Sequence, residues 1–230
     1  RRLQFSSKYL EGSDNGRNTG SDQNAQTWKY AGEAYLNFNK TVAKDHSISA
    51  MLGSSFETSN QLRYMIGGSY FISEDIHYMN LATIKDLNNV YTDGWDEAAV
   101  GFFGRFVYSW KSRYTLSGLM RVDGSSRFGK DNRWGTFPSI SAAWRFSDEP
   151  FMRWTNNVLT DAKLRASFGI TGNDRIGRYE SYTTYTSGSQ NYNGVGGVVP
   201  SSKYGNPKLK WEQTKQTNVG IDLSFLGGRI

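Results

Sequence analysis

Residues 98–110 read Ala98-Ala99-Val100-Gly101-Phe102-Phe103-Gly104-Arg105-Phe106-Val107-Tyr108-Ser109-Trp110. Every second residue from Ala98 gives Ala, Val, Phe, Gly, Phe, Tyr and Trp, without a charge, while Arg105 falls in the intervening set. A period of two is the period of a β-strand, whose side chains point alternately to opposite faces. The same reading extends outward to 28–38, 46–56, 114–122, 136–146, 162–172 and 217–225. Together the seven segments have 41 alternate positions with no Asp, Glu, Lys or Arg, where a charged fraction of 21% leads one to expect about nine. Lys29, Glu33, Glu57, Arg105, Arg121, Asp123, Arg145, Lys163, Arg165 and Asp222 occupy the other parity in or beside them. Charge is therefore kept off one face of these strands, and something apolar lies against that face.

A protein core and a lipid bilayer both exclude charge, and segment length separates them. Eleven to thirteen residues at ~3.3 Å each, tilted by ~40°, cover roughly 28 to 33 Å, matching the ~25 Å apolar band of an outer-membrane barrel and its rims. Strands of soluble domains are usually about half as long. Arg or Lys facing lipid at mid-depth costs ~2 to 4 kcal/mol, which accounts for the strictness of the exclusion. The fold expected is all-β, an antiparallel up-and-down transmembrane barrel wall.

Composition agrees. Aromatics make up 15% of the 230 residues, with 25 Gly, 4 Pro and no Cys. No apolar run approaches the ~20 residues of a spanning helix. The net charge of +6 is scattered over strands, turns and loops, so nucleic-acid binding is not expected. Trp28, Phe38, Tyr108, Trp110, Tyr114, Trp144, Phe146, Trp211 and Phe225 stand near segment ends, the position of interfacial girdles. Ordinary sandwich-core aromatics are the alternative for that pattern. The chain opens Arg1-Arg2-Leu3-Gln4-Phe5 in strand and closes Gly227-Gly228-Arg229-Ile230 in a turn, which reads as a piece of a larger protein.

The links between segments alternate in length. Long ones are expected at about 12–26, 58–96, 124–134 and 173–210. Short ones fall at 41–45, 111–113 and 147–161, the last opening with Ser147-Asp148-Glu149-Pro150 as the start of a helical turn. Short turns on one side and long loops on the other is the outer-membrane arrangement. With residues 3–11 as one more strand, eight strands are expected, the first and last of them as unpaired edges. Catalysis and metal binding find no support: His46 and His77 have no second His or Cys at ligand spacing, and Ser125-Ser126 has no motif-placed His.

One stretch is more specific. Tyr114-Thr115-Leu116-Ser117-Gly118-Leu119-Met120-Arg121-Val122-Asp123-Gly124-Ser125-Ser126-Arg127-Phe128-Gly129 is followed by Trp134-Gly135-Thr136-Phe137-Pro138-Ser139-Ile140-Ser141-Ala142-Ala143-Trp144-Arg145 and Glu149-Pro150-Phe151-Met152. With Lys163-Leu164-Arg165-Ala166-Ser167-Phe168-Gly169-Ile170-Thr171-Gly172-Asn173 and Leu209-Lys210-Trp211-Glu212, it resembles the SusC/RagA-like family of TonB-dependent outer-membrane transporters. The resemblance implies a 22-stranded barrel with an N-terminal plug, in the outer membrane of a Gram-negative bacterium. It implies import of oligosaccharides or peptides, energy from the TonB complex acting on a plug that these 230 residues do not contain, a SusD-like surface lipoprotein as partner, and no cofactor.

Within that frame residues 1–230 are a partial barrel domain, truncated at both ends. Asp123, Gly124, Ser125, Ser126, Arg127, Phe128, Gly129, Gly172 and Asn173 are motif residues with a structural role, since Asp-Gly-Ser-Ser has turn chemistry. Arg121 and Arg127 are placed to pair with Asp123 or to line the lumen. Tyr91, Trp95, Tyr182, Tyr185 and Tyr192, set among Gly, Ser and Asn in the long links, are the candidates for substrate contact, with loop packing as their other reading. A non-transporting β-protein, adhesive barrel or soluble sugar-binding sandwich, is the alternative function.

Overall fold

The structure is a computed structural model. It describes all residues except 8, 10–16, 156, 157, 193, 194 and 228–230, and at 86–89 and 187–192 it describes the backbone alone. Among the described residues the strands are β1 (Arg2–Ser6), β2 (Thr19–Val42), β3 (His46–Phe71), β4 (Ala82–Trp110), β5 (Tyr114–Ser125), β6 (Trp134–Arg145), β7 (Leu159–Asn173), β8 (Tyr185–Tyr192), β9 (Val195–Pro200) and β10 (Glu212–Phe225). Eight form one sheet in the order β1-β2-β3-β4-β5-β6-β7-β10, and β8 pairs with β9 as a separate hairpin. Among the described residues β1 pairs only with β2 and β10 only with β7, so the sheet is a barrel section that does not close on itself.

The chain divides into two compact units, Arg1–Tyr30 with Thr58–Glu97 and Ala31–Glu57 with Ala98–Ile230. In the second unit the strand register settles the two faces. Opposite residues of an antiparallel pair share a face, and pairing runs Phe106↔Gly118↔Ile140↔Phe168↔Thr217, Tyr108↔Leu116↔Ala142↔Ala166↔Val219 and Trp110↔Tyr114↔Trp144↔Leu164↔Ile221. The apolar positions of five strands thus fall in common rows. They are not covered: Phe102, Phe106, Leu116, Met120, Ile140, Phe168 and Ile221 are exposed, and Val219 is 74% so. An uncharged apolar face of this extent open to water would be a severe liability; against lipid it is the outer face of a barrel.

The opposite face carries Arg105↔Leu119↔Ser139↔Gly169, Val107↔Ser117↔Ser141↔Ser167↔Asn218 and Arg145↔Lys163↔Asp222. The charges expected to point inward do share this face. The tight turns also follow the sequence reading. Ala43, Lys44, Lys111 and Ser112 all have φ between 51° and 63°, the left-handed values a two-residue type I′ hairpin requires at both central positions. After β6, the residues Phe146–Asp148 and Pro150–Thr155 form 3-10 turns where a helical turn was expected.

The link expected at 58–96 is different. Strands β3 and β4 continue through it and leave only 72–81 as connection, and β2 begins at Thr19, inside the link expected at 12–26. Strands of 26 and 29 residues are about twice the length needed to cross the apolar band. Beyond that band both faces of a strand are wet, so the one-sided exclusion of charge ends although the hydrogen-bond ladder does not. The first unit has its own small core. Asn18 is buried, its amide donates to the Phe71 carbonyl (3.1 Å) and its side-chain oxygen accepts from the Phe71 N–H (2.7 Å), while Phe5 stacks on His77 (3.9 Å) and meets Phe71 edge-on (5.3 Å).

Candidate functional site

The motif residues lie in the second unit, on and beside the polar face. Arg121, at the odd parity of β5, pairs with Asp123 two residues on, on the same face, at 2.7 Å. Its guanidinium also donates to Ser55 Oγ (3.2 Å) and covers the Phe103 ring (5.6 Å). Gly101 of β4 makes room for this arrangement, since a Cβ there would stand 2.3 Å from Asp123 Oδ1 and 2.7 Å from Arg121. A cleft of 530 Å³ opens over the pair, lined by Glu33, Ser55, Glu57, Arg121, Asp123 and Trp211 among others.

Residues 125–133 do more than turn the chain. Ser125 Oγ donates to the Asp174 carboxylate (2.8 Å), Arg127 donates to the carbonyls of Asp174 (3.3 Å) and Ile176 (3.4 Å), and Ser181 Oγ donates to the Arg127 carbonyl (3.0 Å). Asn132 donates to the Pro207 carbonyl (3.1 Å), and the Trp211 indole N–H to that of Arg133 (3.0 Å). Phe128 is fully buried, its ring 5.2 Å from that of Trp211, which Phe137 meets at the same distance. The segment is a hub that holds the chain from Asp174 to Trp211.

Trp211 is therefore a member of this polar-face cluster with Phe128 and Phe137, not of the interfacial girdle expected for it. Gly172 and Asn173 belong to the hub as well. A Cβ on Gly172 would come within 2.1 Å of the Phe137 ring, and Asn173 donates to Glu212 (2.9 Å) while accepting the Arg175 N–H (3.1 Å). Asp174 and Gly101 went unremarked in the sequence because each acts through a neighbour that the fold supplies. Aromatics gather at the other end of these strands. Trp110 stacks on Tyr114 (5.4 Å), and Trp144 contacts Phe146 (5.8 Å) and Phe151 (6.4 Å). Glu149 gathers this rim, accepting from Tyr114 and from Trp144 (3.3 Å) with Arg113 at 3.6 Å. The Tyr114 hydroxyl first, then Trp144 and Arg113, hold its carboxyl below the usual range.

Of the expected contact residues, Tyr91 and Trp95 stand in strand β4, not in a loop, and in the first unit. Arg63 covers the Tyr91 ring (5.5 Å) and is bound by Asp93 (Nε to Oδ1 2.8 Å). The Trp95 indole donates to Gln61 (3.1 Å), whose amide donates to Thr27 (2.8 Å). These aromatics are held by neighbours and share a strand face with polar groups. Tyr182 and Tyr185 lie in the second unit, both exposed, the Tyr182 hydroxyl accepting from Arg133 (3.2 Å). The Tyr192 side chain lies outside the described residues. Among the described residues no group of three His, Cys, Asp or Glu is placed to hold a metal ion.

Comparison with known proteins agrees with this geometry. The profile of the family described as TonB dependent receptor-like, beta-barrel matches residues 1–230. TonB-dependent receptor P39 of Formosa agariphila is 35% identical over 227 residues, covering 99% of this chain and 22% of that protein. TonB-dependent receptor SusC of Bacteroides thetaiotaomicron is 43% identical over 141 residues, covering 57% of this chain and 14% of that protein. Among solved structures, the RagAB peptide transporter superposes with a TM-score of 0.86 over 99% of this chain and 25% of its own, at 21% identity, a likeness of fold. The chain covers between 14% and 22% of the length of these curated relatives.

Proposed function

The chain belongs to the TonB-dependent receptor-like β-barrel family, and from that premise we propose that it is a section of the barrel wall of an outer-membrane nutrient importer. The rest of the barrel and a plug stand elsewhere in a longer polypeptide, the plug being the part that meets the TonB complex. A SusD-like lipoprotein at the cell surface and an oligosaccharide or peptide cargo complete the reading. The observation that carries it is the uncharged, exposed face kept in register across β4, β5, β6, β7 and β10. A soluble sandwich would enclose such a face, and a barrel presents it to lipid.

In this reading Trp95 of the first unit and Tyr182 and Tyr185 of the second meet cargo, while the segment 123–129 fixes how long strands enter their loops. Tyr182 and Tyr185 are exposed, and hydrogen bonds fix the Trp95 indole and the Tyr182 hydroxyl, which suits transient capture. The test replaces Trp95, Tyr182 and Tyr185 with Ala in the full-length receptor and follows surface abundance and TonB-dependent uptake together. Uptake reduced at unchanged abundance is the expected result. Normal uptake at normal abundance assigns these aromatics to packing of the barrel mouth.

A further inference from the structure

The polar face of the second unit has a second hollow, 680 Å³ in volume, lined by Arg105, Ser117, Ser141, Lys163, Arg165 and Asn218 among others. Its floor is made by the register. Ser117, Ser141, Ser167 and Asn218 face one another in one cross-strand row, and Thr115 and Ala143 stand beside Arg165 in the next. Side chains this short leave a depression between the longer ones at its corners. The hydroxyls are already oriented, Ser117 to Ser141 at 2.7 Å and Ser109 to Thr115 at 3.2 Å.

The charge of the corners is one-sided. Arg105, Lys163 and Arg165 are cations, and among the described residues no acidic one lines the hollow. Asp222, across the ladder from Lys163, is engaged by Arg165 at 3.0 Å. Among the described residues neither Arg105 nor Lys163 has an acidic partner. The cleft over Arg121 is the opposite case, since Asp123 already pairs with that cation and Glu33 and Glu57 stand nearby. Two cations without an acidic partner stand over hydroxyl pairs that each keep one O–H free to donate, a set complementary to carboxylate, which accepts several charge-assisted hydrogen bonds at once. A neutral sugar would leave both cations uncompensated.

We propose that this hollow is a carboxylate-binding site on the lumen wall, filled either by an acidic group of the cargo or by one on a segment of the receptor outside this chain. The proposal rests on the reading of this face as the lumen of an importer and adds to it the chemistry the wall selects.

The test uses the full-length receptor in detergent and compares wild type with R105Q/K163Q and with the charge-keeping R105K/K163R. The probes are two capped pentapeptides, Gly-Ser-Asp-Ser-Gly and Gly-Ser-Asn-Ser-Gly, with binding followed by calorimetry and thermal unfolding by light scattering. If the carboxylate comes from cargo, the acidic peptide binds wild type better than the amide one. R105Q/K163Q then weakens only the acidic peptide, by roughly tenfold, and R105K/K163R restores it. If it comes from the receptor itself, neither peptide discriminates, and R105Q/K163Q unfolds at lower temperature while R105K/K163R does not. Unchanged binding and unchanged unfolding in R105Q/K163Q overturn the proposal, as does equal loss of both peptides. Failure of the importer reading would appear separately, as cargo uptake that does not depend on TonB.

Discussion

At Gly172 one methyl group is the difference between a strand end that packs and one that does not. A Cβ there would meet Phe137 at 2.1 Å, and the Phe137 ring is itself held against Trp211 and buried. Gly172→Ala is expected to lower stability by about 1–3 kcal/mol, the usual cost of overpacking a filled site. Loss of the compact band on unheated electrophoresis at a lower temperature than for wild type checks it. At the other end of the wall Glu149 gives a pH-dependent expectation. Its folded carboxyl is depressed, so its contribution is complete above the unfolded carboxylate value, about 4.3, and is lost as pH falls through the folded value. Wild type should therefore exceed Glu149→Gln in melting temperature at pH 7, with the gap closing on acidification below about pH 4. A gap that stays constant with pH would remove Glu149 from the rim network.

Single strands carry the distinction between faces, and adjacent residues of β6 test it. Ile140 lies in the apolar row with Gly118 and Phe168, while Ser139 lies in the polar row with Leu119 and Gly169. Ile140→Lys is expected to cost ~2–4 kcal/mol in a folded, lipid-embedded receptor and Ser139→Lys little, as read from denaturant midpoints in vesicles. Equal costs would contradict the assignment of faces. This parity was legible in the sequence because lipid penalises charge on one side of every spanning strand. The outer halves of β3 and β4 were not legible, because a strand wet on both faces keeps its hydrogen bonds without keeping a pattern. Trp211 was misread for a related reason. An aromatic at a strand end looks the same whether it meets lipid headgroups or, as here, Phe128 and Phe137, and only the register of Phe137 on the polar side separates the two.

At the scale of the whole molecule, the strand order from β1 to β10 leaves each end strand with one partner among the described residues, so the sheet does not close on itself. The hub at 125–133, the rim at Glu149 and the two hollows of the polar face all depend on one assignment, that the even residues of β5 meet lipid and the odd ones the lumen. The sequence contains no cysteine, so single cysteines placed at each residue from Thr115 to Val122 of the full-length receptor can carry spin labels one at a time. In proteoliposomes, the ratio of collisions with oxygen to collisions with a water-soluble nickel chelate should alternate with a period of two, highest at Leu116, Gly118, Met120 and Val122. A flat profile, or maxima at Thr115, Ser117, Leu119 and Arg121, would contradict the membrane wall.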